Sequence, residues 1–78
     1  MIRTSFPHDG RTVWVTLGRG LVRVGSLTGR WDPGPETFSP FDASADPEFV
    51  AAAQAALRLA VFAAAEAKGK MRLPGVVQ

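Results

Sequence analysis

Between Phe49 and Lys68 the chain is apolar on nearly every side of a potential helix, and no other segment limits the available folds so strongly. Ten of those positions are alanine, the larger apolar ones are Phe49, Val50, Leu57, Leu59, Val61 and Phe62, and the strongly polar ones before Lys68 are Gln54, Arg58 and Glu66. A helix lying on a single sheet shows one apolar stripe and one polar face. Here Val50, Leu57 and Val61 mark one side, Leu59 and Phe62 fall well away from them, and Phe49 points elsewhere again. Two faces need cover.

The helix limits are written locally. Asp46 can cap free amides, Pro47 suits the first helical position, and Glu48 favours the positive end of the dipole. Gly69 offers a left-handed cap, with Lys68 and Lys70 complementing the negative end. The signals predict a helix from Pro47 to about Lys68, followed by an extended C-terminal arm over residues 71–78. Such a helix is roughly 33 Å long, against roughly 23 Å for a seven-residue strand, so a small sheet cannot cover it end to end. A second copy can. A membrane span is the less economical reading, because Arg58 near the middle costs ~2.5–3.5 kcal/mol on insertion scales, with Gln54 and Glu66 adding to it. No membrane is expected.

Upstream the pattern is that of strands. Ile2 to Phe6 forms a first strand and Pro7-His8-Asp9-Gly10 a turn; Thr12 to Leu17 alternates Val13, Val15 and Leu17 against Trp14 and Thr16. Gly18-Arg19-Gly20 turns the chain again, and Leu21 to Val24 sets Val22 and Val24 opposite Arg23. Thr28-Gly29 reads as the next turn, with Arg30 and Trp31 opening a short fourth strand before Asp32-Pro33-Gly34-Pro35. Residues 32–46 read as an irregular crossing loop pinned by Phe38 and Phe41. The expected fold is α+β: an antiparallel three- to four-stranded β-meander followed by one long C-terminal α-helix, a single domain over residues 1–70 that assembles as a helix-mediated homo-oligomer, most simply a dimer. The residues set against the partner are Phe49, Ala53, Leu57, Leu59, Ala60, Phe62 and Ala64.

Size argues for the same conclusion. A chain of 78 residues has a core that seldom supplies more than ~3–5 kcal/mol unaided. Cysteine is absent and there is one histidine, so neither disulfides nor a structural metal is expected to reinforce it, and no cofactor is implied. No secretory signal pattern follows Met1, which gives a cytoplasmic expectation. The net charge of +2 conceals a division: Arg3, Arg11, Arg19, Arg23 and Arg30 face Asp9 in the first thirty residues, whereas the middle of the chain is acidic. Lys68, Lys70 and Arg72 make the tail basic again. The two ends suit a polyanion, or the acidic middle of a neighbouring subunit.

Catalytic equipment is sparse. His8 and Asp9 are adjacent in a turn, a placement expected to turn them apart, with no nucleophile near them in sequence. Gly18-Arg19-Gly20 lacks the following helix and the lysine of a phosphate loop. Asp46 and Glu48 already fill the helix N-terminus with negative charge. The chain is read as not an enzyme. Its more distinctive feature is the sheet face turned away from the valines, which carries Trp14 and Arg23, with Arg11 or Trp31 as further candidates. Aromatic faces stack bases for roughly 1–3 kcal/mol each and arginines neutralise phosphates, so this face is equipped for single-stranded nucleic acid. Arg3, Arg11, Trp14, Arg19, Arg23 and Arg30 are the candidate contacts.

In element order, strand, Gly-turn, strand, then Trp31-Asp32-Pro33 and a long loop into the helix, the chain resembles the single-stranded-DNA-binding transcriptional cofactors of the positive-cofactor-four type and, more distantly, whirly and purine-rich-element-binding domains. That resemblance implies a helix-mediated dimer with a nucleic-acid-binding sheet, although the lysine-rich strands of such proteins are not present here. The competing expectation is a structural or assembly subunit, such as a component of a phage particle, in which the same residues contact protein. A small regulator that binds a larger protein is the third.

Overall fold

The computed structural model describes residues 1–67 together with their side chains, and its last element carries the helix assignment on to Val77. The stop expected at Gly69 and the arm over 71–78 lie outside the described residues. The chain forms β1 (Ile2–His8), β2 (Arg11–Gly18), β3 (Leu21–Val24), β4 (Leu27–Asp32), β5 (Thr37–Pro40) and α1 (Pro47–Val77). The strands make one antiparallel sheet in the order β1-β2-β3-β4-β5, a meander in which every strand pairs with its sequence neighbour. The fold is α+β.

Two-residue turns set the registers. Asp9 and Gly10 have φ of 50° and 74°, and Arg19 and Gly20 have 53° and 77°, the doubly left-handed pattern of type I′ turns, whose twist matches that of the flanking strands. Each turn joins directly paired residues, His8 with Arg11 and Gly18 with Leu21. Pro7, read from the sequence as part of a turn, is instead inside β1 opposite Thr12. It fits there because β1 is an edge strand, where a missing N–H that faces outward breaks no ladder bond.

Alternation then divides the sheet. Phe6, Val15, Leu17, Val22, Val24, Trp31 and Phe38 are buried on one side and meet Ala53 and Leu57 of α1. The helix lies mainly against β1 and β5, the two edges of the sheet, with less against β2. Its start follows the expected capping: Asp46 Oδ1 accepts the Glu48 N–H at 3.1 Å, and the Asp46 carbonyl accepts the Val50 N–H at 3.0 Å.

Three expectations are corrected. The sheet has five strands, because the crossing loop contains β5: Phe38 is buried opposite Trp31 while Pro40 closes an edge strand that tolerates it. The third turn falls at Gly25 and Ser26, not at Thr28-Gly29, and Gly29 sits inside β4. A Cβ there would meet the Phe38 ring and lie 2.5 Å from the Ser39 carbonyl oxygen, so the glycine is what lets β5 pack closely. Trp31 consequently faces the core at 6% exposure and is not part of the outer face.

Candidate functional site

The outer side of the sheet is assembled by register. Directly paired residues share a face, so Arg3, Thr16, Arg23 and Thr28 form one row across β1 to β4. Ser5 and Trp14 form the adjacent row, and Leu21, Arg30 and Ser39 the row on the other side. Trp14 and Leu21 are more than half exposed. The Arg3 guanidinium carbon lies 4.6 Å from the Trp14 ring centroid, within cation–π range, which holds the indole and the charge side by side.

Two open hollows meet on this face. One, of about 520 Å³, is lined by Arg3, Arg11, Trp14, Thr16 and Arg23 among others; the second, of about 370 Å³, lies over Leu21, Thr28 and Phe41 and shares Met1, Thr16 and Arg23 with the first. Arg23 thus stands between an indole on one side and an apolar patch on the other. The only carboxylate within the strands is Asp32, and its Oδ1 is turned into its own loop, accepting the Gly34 N–H at 3.1 Å. The face is therefore positive and partly apolar, with two threonine hydroxyls flanking the central arginine.

Of the residues singled out from the sequence, the structure brings together Arg3, Trp14 and Arg23. Arg30 is exposed on the same face, one row beyond. Arg11 belongs by alternation to the helix side, opposite His8, yet at the end of the hairpin it still borders the larger hollow. Arg19 occupies the β2–β3 turn and borders neither. Thr16, Thr28, Leu21 and Phe41 were missed. The period-two pattern that placed Thr16 beside Trp14 extends to Thr16 and Leu21, whereas Thr28 was hidden by being read as a turn residue, and the place of Phe41 depends on its N–H reaching the Thr28 carbonyl at 3.0 Å.

The second candidate surface is α1. Ala53 and Leu57, expected at a partner interface, are fully buried in the chain's own core, because the face they share is the one laid on the sheet. Phe49 is also engaged within the chain, tilted against Phe6 at 5.8 Å and edge-on to His8 at 5.0 Å between ring centroids. Ala60 and Ala64 are half-buried. Leu59 and Phe62 are 73% and 63% exposed. The stretch Pro47–Ala67 is long and apolar enough to cross a membrane by length and composition, and Ala53 and Leu57 are its only buried residues among those described.

His8 departs from its expectation. Its Nε2 is 3.5 Å from Asp9 Oδ2, so the neighbours do meet, and its ring is half-buried against Phe49 rather than free in solvent. Among the described residues no three His, Asp or Glu side chains gather as a metal site. No family model, curated protein or solved structure matches the chain.

Proposed function

We propose that the chain is a non-enzymatic, homo-oligomeric binding protein that takes single-stranded nucleic acid on the outer face of its sheet. The observation that carries this reading is the alignment of Arg3, Trp14 and Arg23 around one open hollow, with Arg30 beyond it and the nearest strand carboxylate turned away. Phosphates would pair with the arginines, and a base would stack on the exposed indole, entering between it and the Arg3 guanidinium. The face is sequence-tolerant by construction, since stacking and charge neutralisation dominate it. Self-association through the uncovered side of α1 would leave this surface outward.

The assembly-subunit reading has its own support in that helix. Leu59 and Phe62 are exposed on an element whose other side is already packed, and Arg58 is tied to the β4–β5 loop, donating from Nε to the Glu36 carbonyl at 3.0 Å. Those ties favour a protein partner for the helix over a membrane span, which would require the sheet to detach.

Fluorescence anisotropy with labelled single- and double-stranded oligonucleotides separates the two. The nucleic-acid reading expects single-strand preference and weaker binding at higher salt. It also expects Trp14→Ala to lower affinity by ~5- to 150-fold, the equivalent of ~1–3 kcal/mol of stacking. Absence of binding at low salt by correctly folded protein would overturn it and leave the assembly reading.

A further inference from the structure

The two edges of the sheet are treated differently. On β5 the outward Phe38 N–H donates to Gln54 Oε1 at 3.0 Å, and the Pro35 and Glu36 carbonyls just before the strand accept bonds from Arg58, so the helix caps that edge with its own side chains. Among the described residues no side chain bonds to the backbone of β1, although that edge is the longer of the two.

Register identifies which groups of β1 are free. In a two-residue hairpin the residues flanking the turn exchange both ladder bonds, so His8, Phe6, Thr4 and Ile2 bond to β2. Arg3, Ser5 and Pro7 then direct their polar groups outward. The Trp14 carbonyl supports this phase, since it accepts the Gly25 N–H on the β3 side and so turns away from Ser5. The free edge offers N–H groups at Arg3 and Ser5 and carbonyls at Arg3, Ser5 and Pro7. Beside it runs an open groove of about 430 Å³ between β1 and α1, walled by Ala52, Ala55, Ala56 and Leu59.

We infer that a second copy of this chain docks on β1, pairing β1 antiparallel with its counterpart about a two-fold axis at Ser5, so that two sheets become one ten-stranded sheet. This rests on the homo-oligomeric part of the function proposed above and gives it a geometry. Centring on Ser5 sets Arg3 opposite the partner's Pro7 and uses every outward donor: the two Ser5 residues exchange N–H bonds, and each Arg3 N–H meets a Pro7 carbonyl. Centring on Arg3 would stack like charges on one face, and centring on Pro7 would place two residues without donors at the axis. A two-fold at Thr4 would satisfy the same donors by pairing Arg3 with the partner's Ser5, but it sets the two Ser5 residues diagonally rather than opposite each other, which the cross-link below distinguishes. Strand pairing alone covers less than the ~800 Å² per partner usual in a stable interface. The helices supply the remainder, because both lie on the same side of the joined sheet, where alanines allow close approach and Leu59 gains cover. On the opposite side the row Trp14, Ser5, partner Ser5, partner Trp14 becomes continuous, with the two indole-bearing strands three spacings, or ~14 Å, apart. A single nucleic-acid strand would then run across both copies.

The chain has no cysteine, so introduced thiols report proximity cleanly. Ser5→Cys places two sulfur-bearing residues at the axis with Cα atoms ~5.5 Å apart, within disulfide range, whereas Thr28→Cys lies on the same face far from it. The expected result is rapid covalent dimer formation by Ser5→Cys under mild oxidation and little by Thr28→Cys. The wild type should show twice the 8.3 kDa chain mass in solution, and Ser5→Pro, which removes an outward N–H and no bond of the β1–β2 ladder, should show a single mass with its circular dichroism retained. Equal and slow cross-linking of both cysteine variants, with the wild type still dimeric, would overturn the β1 geometry while leaving self-association through the helix. A wild type of single mass at micromolar concentration would overturn both. Should Ser5→Pro fail to fold, the cross-linking comparison decides alone.

Discussion

Helix α1 meets the two edges of the sheet by different means. Towards β5 it uses polar side chains, Gln54 on the Phe38 N–H and Arg58 on the Pro35 and Glu36 carbonyls. Towards β1 it uses shape alone, with Phe49 against Phe6 and His8 and with Ala52 and Ala56 facing the strand across a groove. Directional bonds fix where the helix lies, and because they satisfy edge groups they also close that edge to another strand. The apolar seam adds burial but satisfies no backbone group of β1, which is why one edge is finished and the other open.

Substitutions at the two seams should therefore fail differently. Leu57→Ala should have the largest effect, since Leu57 is fully buried where helix and sheet meet, and its loss should cost ~2–5 kcal/mol. Urea unfolding followed by circular dichroism measures this, and a loss well under ~1 kcal/mol would mean that the helix does not seat on the sheet as described. Phe49→Ala tests the apolar seam alone. A fully buried phenylalanine costs ~3–5 kcal/mol on truncation, so this half-buried one should cost ~2 kcal/mol, with no change in amide protection at Phe38. Gln54→Ala tests the polar seam and should cost ~1 kcal/mol, at the low end for a stranded donor because the site is only part-buried. Its signature is local. Hydrogen exchange at the Phe38 amide should accelerate far more than at strand amides bonded within the sheet, and uniform acceleration would contradict a separate seam.

How legible this was in the sequence follows the same division. The helix start, the first two turns and the run from Leu21 to Val24 were readable because each depends on neighbours a few residues apart: Asp46 with Glu48, Asp9 with Gly10, Arg19 with Gly20. What failed depends on contacts across the chain. Thr28-Gly29 has turn composition, yet Gly29 is glycine because Phe38 and the Ser39 carbonyl press on it from the next strand. Placing the turn there rather than at Gly25-Ser26 cut β4 short and left the face of Trp31 open. Register errors behave this way, since a one-residue slip moves a side chain to the opposite face. β5 was hidden by Pro35 and Pro40, which forbid a central strand but not an edge one. Ala53 and Leu57 were assigned to a partner because an all-round apolar helix does not say which face its own sheet takes.

The smallest expected effect lies in the connection that delivers the chain from β5 to the helix. The Ser44 hydroxyl donates to Asp42 Oδ1 at 2.7 Å and the Ser44 backbone N–H donates to the same oxygen at 2.9 Å; these two bonds, the hydroxyl first, hold the Asp42 carboxyl below its ordinary value. A carboxyl whose pKa falls on folding stabilises the folded chain above its unfolded pKa, and that contribution is lost as pH drops through the lower, folded value. Ser44→Ala removes the stronger bond and keeps the backbone one, so the Asp42 pKa should rise part of the way back, narrowing the acid range in which stability is lost. Because Asp42 is solvent-exposed, the change belongs in an NMR titration of its carboxyl carbon rather than in an unfolding midpoint. A titration curve that does not move in Ser44→Ala would assign the depression to the backbone turn alone, and the polar control of the β5 side would then rest on Gln54 and Arg58.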